Sequence, residues 1–156
     1  MVLEFAANGD LPKLREACKW LKLSELAHVR GKVDIKKGPK TPTSNWNAFT
    51  YAVALNKLEV IKYIAETMKC NVRLCLSVGD KTVETLKLAM INHSSGQTPS
   101  VFSYLINRHF QIWTMEDIVL VLQDLREIKN KPIVIETLFE SASFIKVFEG
   151  LSNQDA

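Results

Sequence analysis

Few residues of this chain have types and spacings that could do chemistry, and the cysteines are the first candidates. Cys70 and Cys75 are separated by four residues and could offer two thiolates to a zinc ion. A tetrahedral zinc site needs four ligands, and the histidines share no metal-type spacing with this pair. Cys75 stands between Leu74 and Leu76, a setting typical of a buried structural thiol. The pattern therefore predicts structural cysteines and no metal site.

The motifs of enzymes are missing or have a structural explanation. The chain contains neither G-x-x-x-x-G-K nor G-x-G-x-x-G, the glycine-rich loops that bind phosphates. No Ser or Cys stands in the sequence context of a known nucleophile. The carboxylates of Glu116 and Asp117 fall in the first turn of a predicted helix, where negative charge stabilises the positive end of the helix dipole. We therefore expect no catalytic residue, no cofactor and no enzyme activity.

A cluster of cations is a further candidate site. Five basic residues lie within eleven positions: Arg30, Lys32, Lys36, Lys37 and Lys40. Such a cluster attracts a phosphate backbone, but base stacking needs aromatic side chains and none is interleaved here. Two glycines and two prolines predict a long exposed loop over residues 28–45, more mobile than its flanks over 28–43. Three interpretations stay open: a solvated insertion, contact with an acidic protein surface, or binding of nucleic acid.

Length and composition are those of a globular protein. The 156 residues are 47% hydrophobic and 24% charged, which suits one domain with a real core. No run of 18 apolar residues is present, and the start of the chain lacks the pattern of a signal peptide, so we expect no membrane partner. Three cysteines are an odd number for a disulfide framework, and they indicate reduced thiols in an intracellular, cytoplasmic protein.

The net charge of +3 conceals a gradient along the chain. Residues 1–40 contain nine Lys or Arg against five Asp or Glu, a net charge of +4. Residues 109–156 contain four against eight, a net charge of −4. Opposite charges at two ends can orient a molecule in an assembly or stack copies end to end. Charges scattered by chance over the surface would give the same counts.

The elements that position these residues follow from helical periodicity. In residues 45–72 the apolar side chains form two short helical blocks, one over 49–53 and one over 58–65. Asn56 lies between them and can adopt the left-handed conformation of a tight turn. The small side chain of Ala52 lets two antiparallel helices approach closely.

This segment resembles one ankyrin repeat, whose pattern runs G-x-T-P-L-H-x-A-A-x-x-G-x-x-x-x-V-x-x-L-L. The matching positions are Asn45 at the first Gly, Asn47-Ala48-Phe49-Thr50 at T-P-L-H, Ala52-Val53 at A-A, Asn56 at the second Gly, Ile61 at the Val and Ile64-Ala65 at the Leu pair. The two exchanges of Gly for Asn and the loss of Thr-Pro make it a degenerate copy.

Two further segments resemble the same repeat. Near the start, Phe5-Ala6 occupies the A-A position and Gly9 ends the first helix in a positive-φ conformation. Later, Ala89 aligns with Ala52 at a spacing of 37 residues, against an ankyrin period of about 33. We therefore expect Ala52 and Ala89 to be equivalent buried positions.

Beyond residue 110 the resemblance fades, and periodicity alone predicts helices over about 115–128, over 133–139 and over 142–148. The first of these follows an approximate capping box, Thr114-x-x-Asp117, and contains the apolar residues Ile118, Val119, Leu122 and Leu125.

Four aromatic residues are candidates for contact with a partner, because large rigid rings bury much area at little entropic cost. Trp46 precedes the first helix of a repeat, where the resemblance implies a hairpin finger, and Tyr51 falls near the concave side. A Trp46 that fills the core is the competing interpretation. Phe144 and Phe148 lie on an apolar face without obvious cover, so we expect the last helix to dock on another copy or on a neighbouring subunit. The alternative is that this helix folds back beneath the 115–128 helix.

The sequence thus predicts an all-α fold in a single domain over 1–156. It is a short ankyrin-like solenoid over 1–110, interrupted by the basic loop, with a C-terminal helical extension over 111–156. The resemblance implies protein recognition without chemistry, and we expect a non-catalytic adaptor or small subunit of an intracellular assembly. The alternative is a factor associated with nucleic acid or ribonucleoprotein through residues 28–40.

Overall fold

A computed structural model gives the structure of the protein. It describes residues 2–21, 26–35, 41–76, 84–93, 100–109, 115–129, 131–141, 144–146 and 149–150. Over these ranges the chain is helical and contains no β-strand, apart from an isolated antiparallel bridge between Arg30 and Asn47. The prediction of an all-α fold is confirmed for this part of the chain.

Nine α-helices lie within the described residues: α1 (Val2–Asn8), α2 (Leu11–Leu21), α3 (Ala48–Ala54), α4 (Leu58–Lys62), α5 (Val72–Cys75), α6 (Glu84–Asn92), α7 (Val101–His109), α8 (Met115–Asp124) and α9 (Lys131–Glu140). Single turns of other types accompany them: 3-10 turns at Leu26–His28 and Leu125–Glu127, and a π-helical turn at Tyr63–Thr67.

The turns inside the first two helix pairs use the residues that the sequence predicted. Gly9 ends α1 with a φ of 70°, and Asn56 separates α3 from α4 with a φ of 57°. Both angles lie in the left-handed region, which Gly adopts without steric cost and Asn tolerates better than most residues. Asp10 then caps α2, where its carboxylate accepts from the Lys13 amide at 3.3 Å.

The first helices of three pairs pack side by side. Helix α3 lies between α1 and α6, and the partner helices α2, α4 and α7 pack on α1, α3 and α6 respectively. Helix α8 contacts α6 at the far end of this row. Ala52 and Ala89 are both buried, as expected, and their small side chains allow the helices of the row to approach closely.

The turns of successive helix pairs also touch one another. A Cβ placed on Gly9 would meet the Lys57 side chain at 3.0 Å, so the first turn lies against the second. The Asn92 amide donates to the last two carbonyls of α3, at 3.1 and 2.6 Å. Asn56 accepts from the Val101 amide at 3.4 Å. These polar contacts satisfy backbone groups that helix ends leave without partners.

Helices α8 and α9 form where periodicity predicted them, and part of the helix predicted over 142–148 lies outside the described residues. In α8, Val121 and Leu125 are buried and Leu122 packs partly buried against the core, whereas Val119 is 41% exposed. The residues from 118 to 122 are all apolar, so they supply two plausible faces. Contact with α6 decides between these faces, and local spacing does not.

Candidate functional site

Trp46 and Tyr51 lie together inside the protein rather than on its surface. Their side chains are 1% and 0% exposed, and the ring centroids lie 5.1 Å apart in an edge-on arrangement. Trp46 therefore fills the core, which was the competing interpretation of the sequence. Because a buried ring offers no surface to a partner, the assignment of these two residues to a partner contact is corrected.

The hydroxyl of Tyr51 instead holds the segment that precedes α3. It donates to the Gly31 carbonyl at 2.8 Å and accepts from the Val33 amide at 2.7 Å. The Gly31 amide in turn donates to the Trp46 carbonyl at 3.0 Å. Burial raises the pKa of Tyr51, so its hydroxyl remains a donor at neutral pH. We call the two bonds of this hydroxyl the Tyr51 clamp.

The N-terminal part of the basic loop is less solvated than predicted. It has no helix over residues 29–35, as expected, but Val29, Val33 and Ile35 pack against the core. These apolar residues alternate with charged ones, so one side of the segment faces the body of the protein. The expectation of a fully exposed loop is therefore wrong for this segment.

The structure describes two of the five cations of the basic loop. Arg30 donates through Nη1 to the Asn45 carbonyl, so it helps to close the loop. Lys32 is exposed to solvent. Three further members of the predicted cluster lie outside the described residues: Lys36, Lys37 and Lys40.

Phe144 also lies in the core. It is 0% exposed, and its ring packs edge-on against Phe139 with centroids 5.7 Å apart. The amide of Phe144 donates to the Ser141 hydroxyl at 3.4 Å, which caps the short helical segment that begins there. Phe144 is therefore removed from the candidate docking residues, and Phe148 lies outside the described residues.

Helix α9 has an exposed apolar surface that the sequence analysis did not predict. Helix α9 buries Val134 and Leu138 and leaves Ile135 and Phe139 39% and 51% exposed. Beside these two apolar residues stand two exposed carboxylates of the same helix. We define the Phe139 face as Ile135, Glu136, Phe139 and Glu140.

The most exposed large apolar side chain in the described part of the chain is Trp20, at 77%. It ends a stripe on the outer side of α2, opposite the buried residues of that helix. The stripe lines a shallow concavity of about 630 Å³, and we define it as the Trp20 face: Pro12, Arg15, Glu16, Lys19 and Trp20. Arg15 lies over the ring of Tyr63, 5.3 Å from its centroid, which fixes one side of this face against the π-helical turn.

A second groove, of about 340 Å³, lies between α4 and α7. Its lining mixes apolar, polar and charged side chains: Leu58, Lys62, Glu66, Ser103, Tyr104, Asn107 and Arg108. Burial, together with the Glu66 carboxylate that Tyr104 contacts, raises the pKa of the Tyr104 hydroxyl to about 12. The Glu66 carboxylate lines the groove together with two cations, Lys62 and Arg108. The groove therefore has no strong preference for an anion.

One buried cluster has the components of a nucleophile–base pair. His93 Nδ1 lies 2.9 Å from Ser100 Oγ, and His93 Nε2 lies 2.6 Å from Thr137 Oγ1. Thr137 gives its proton to the Ile133 carbonyl at 3.0 Å, so Nε2 of a neutral His93 ring donates to Thr137. The single Ser100 proton is shared between His93 Nδ1 and Ser103 Oγ, which lies 3.0 Å away. Burial lowers the pKa of His93, which favours this neutral form.

The position of this cluster favours structure over catalysis. Ser100 is 2% exposed and His93 is 6% exposed, so a substrate cannot reach the hydroxyl in this conformation. The three side chains join the end of α6 to the start of α7 and to α9. The hydroxyl–imidazole network therefore holds α9 against the end of α6 and the start of α7.

The cysteines and the other potential ligands show no grouped site. The three cysteines form no disulfide and are buried, which agrees with the structural thiols that the sequence predicted. Over the described ranges no three His, Cys, Asp or Glu side chains lie close enough to hold one metal ion. None of the helices in this part of the chain has the length and apolar content needed to cross a bilayer.

Comparisons with protein-family models, curated proteins and solved structures give no match to this chain. Functional assignment therefore depends on the surfaces described above. Sequence reasoning missed both the Trp20 face and the Phe139 face. The signal for the first was available, because helical spacing places Trp20 outside the apolar stripe of α2.

Proposed function

We propose that this chain is a non-catalytic module for protein–protein interaction, built as a short ankyrin-like solenoid. The arrangement of the helix pairs supports the repeat architecture, because α1, α3 and α6 form one row and each has a partner helix packed on it. The contact of Gly9 with Lys57 and that of Asn56 with Val101 join successive turns. Stacked pairs of this kind bury a continuous core and present extended surfaces for recognition.

The exposure of Trp20 is the observation that carries the functional part of the proposal. A tryptophan that is 77% exposed leaves a large apolar surface in water, and such residues dominate the energetics of protein interfaces when a partner covers them. The neighbouring Arg15 and Lys19 add charge that orients an incoming partner. We infer that the chain acts as an adaptor or small subunit of an intracellular assembly, and that the Trp20 face is its principal contact.

The buried polar cluster supports the non-catalytic part of the proposal. Catalysis by Ser100 would need access for a substrate, and burial denies it. The Tyr51 clamp and the His93 network both have complete structural explanations, since each bond joins two elements of the fold.

Affinity capture of the full chain from its native source tests this proposal. We expect proteins that are recovered with the wild type to be lost with Trp20→Glu and kept with Ile91→Glu, a change at another exposed apolar residue. The same proteins bound equally by both variants would exclude the Trp20 face. Recovery of no protein by the folded wild type would contradict the proposal.

The alternative proposal is association with nucleic acid through residues 28–40. The contact of Arg30 with the Asn45 carbonyl counts against it, because this contact engages one of the five cations within the protein. Binding of random-sequence RNA that weakens steeply with added salt would favour this alternative.

A further inference from the structure

Two surfaces of opposite charge carry the most exposed aromatic side chains that the structure describes. Trp20 is 77% exposed on α2, and Phe139 is 51% exposed on α9. We propose that the Trp20 face of one copy of this chain binds the Phe139 face of a second copy, so that copies associate head to tail. This inference rests on the proposed function, because it names the partner of the Trp20 face.

The two cations of the Trp20 face match the two carboxylates of the Phe139 face in sign and in spacing, and the Trp20 face stays net positive with Glu16 counted. Arg15 and Lys19 are four residues apart on α2, and Glu136 and Glu140 are four residues apart on α9. Side chains at this spacing are neighbours on a helix surface, about 5–6 Å apart at their Cβ atoms. Two helices that pack along this stripe can therefore set both cations opposite both carboxylates.

The apolar parts of the two faces match in the same way. On α9 the pair Ile135 and Phe139 lies beside the carboxylates, and on α2 Trp20 lies beside the cations. An apolar contact flanked by charge pairs has the composition of a protein interface, in which an aromatic anchor lies at the centre and polar groups surround it. The sequence has the same asymmetry, with net charges of +4 over residues 1–40 and −4 over 109–156, and such an asymmetry favours a head-to-tail orientation of two copies.

Head-to-tail contact with a second copy accounts for these faces better than a contact within one chain or a two-fold symmetric dimer. Both faces stay exposed in the same folded chain, so neither covers the other within one copy. A two-fold dimer through the Phe139 face would set its carboxylates against each other, and one through the Trp20 face would bring four cations together with only two carboxylates, which is unfavourable. A contact between two different faces leaves one face open at each end, and such an association continues beyond the dimer.

Sedimentation of the purified full chain tests the inference. At low salt we expect the average mass of the wild type to rise between about 1 and 200 µM without a plateau at the dimer, the range in which weak interfaces assemble. Added salt should lower the average mass, because exposed charge pairs are screened. We expect Trp20→Glu and Phe139→Lys each to weaken association about tenfold or more. Ile91→Glu, at an exposed residue outside both faces, should leave association unchanged.

Mixing the two variants gives the decisive measurement. The Trp20→Glu chain keeps its Phe139 face and the Phe139→Lys chain keeps its Trp20 face, so an equimolar mixture should form a 1:1 dimer that grows no further. Circular dichroism of each variant checks that it is folded, which the exposure of both residues favours.

Three results would overturn the inference: a wild type that is monomeric at every concentration, a Trp20→Glu chain that still associates, or a mixture that stays monomeric. A monomeric wild type that captures other proteins through Trp20 would remove this inference and leave the proposed function standing. A wild type that associates head to tail but captures no other protein would remove the proposed function and leave this inference standing.

Discussion

Replacing Tyr51 with Phe removes the Tyr51 clamp and leaves the aromatic ring in the core. The hydroxyl makes two hydrogen bonds, one to the Gly31 carbonyl and one from the Val33 amide. Each such bond contributes about 0.5–1.5 kcal/mol net, so the pair contributes about 1–3 kcal/mol. Because Gly31 and Val33 are only partly buried, water can replace part of this interaction. We therefore expect Tyr51→Phe to lower the free energy of unfolding by about 1–2 kcal/mol.

Urea unfolding measures this change, and amide hydrogen exchange locates it. In Tyr51→Phe the Val33 amide should exchange faster, because it loses its acceptor. Tyr63→Phe is the matched control, since its hydroxyl contacts Cys18 instead, and it should leave the exchange of Val33 unchanged. A loss of stability below about 0.5 kcal/mol, with the Val33 amide as protected as in the wild type, would refute the clamp.

Three further predictions concern the helix row and two buried titratable groups. Ala52→Leu should destabilise the protein by about 1–3 kcal/mol in urea unfolding, because the buried position has no room for the larger side chain; Ala65→Leu, at a partly buried site, should cost less. The pKa of His93 is lowered from 6.5, so the unfolded chain takes up a proton first and stability should fall as the pH drops below 6.5; His93→Gln should lack this part of the pH dependence. The pKa of Tyr104 is raised from 10.0 to about 12, so the unfolded chain ionises first and stability should fall as the pH rises from about 10 to 12; Tyr104→Phe should reduce this loss.

Local features of the fold could be predicted from the sequence because residue type alone determines them. Gly9 and Asn56 adopt the positive φ angles that their side chains permit. The burial of Ala52 and Ala89 was expected from the resemblance to a repeat in which small residues mark close contacts between helices. Helix α9 formed despite its β-branched residues, as its spacing predicted.

The choice between two faces of one helix could not be predicted in the same way. In α9 the pair Val134 and Leu138 and the pair Ile135 and Phe139 both have helical spacing. Periodicity is consistent with burial of either pair, and the tertiary contacts of the helix determine which pair is buried.

The positions of Trp46 and Tyr51 depended on contacts that are distant in sequence. The Tyr51 hydroxyl bonds to residues 18 and 20 positions earlier in the chain. These bonds form because the segment around Gly31 folds back over the start of α3. No local pattern encodes that return, so the sequence left Trp46 open to two interpretations and placed Tyr51 near a concave surface.

Photo-crosslinking from position 20 tests the central claim most directly. A photoreactive phenylalanine analogue in place of Trp20 should crosslink to another polypeptide in extracts of the native source, because this face is proposed to contact a protein. The same analogue in place of Glu59, an exposed residue of α4 outside the Trp20 face, should give little product. Equal crosslinking from both positions, or none from position 20 in a folded chain, would contradict the claim that this protein works by binding proteins through the Trp20 face.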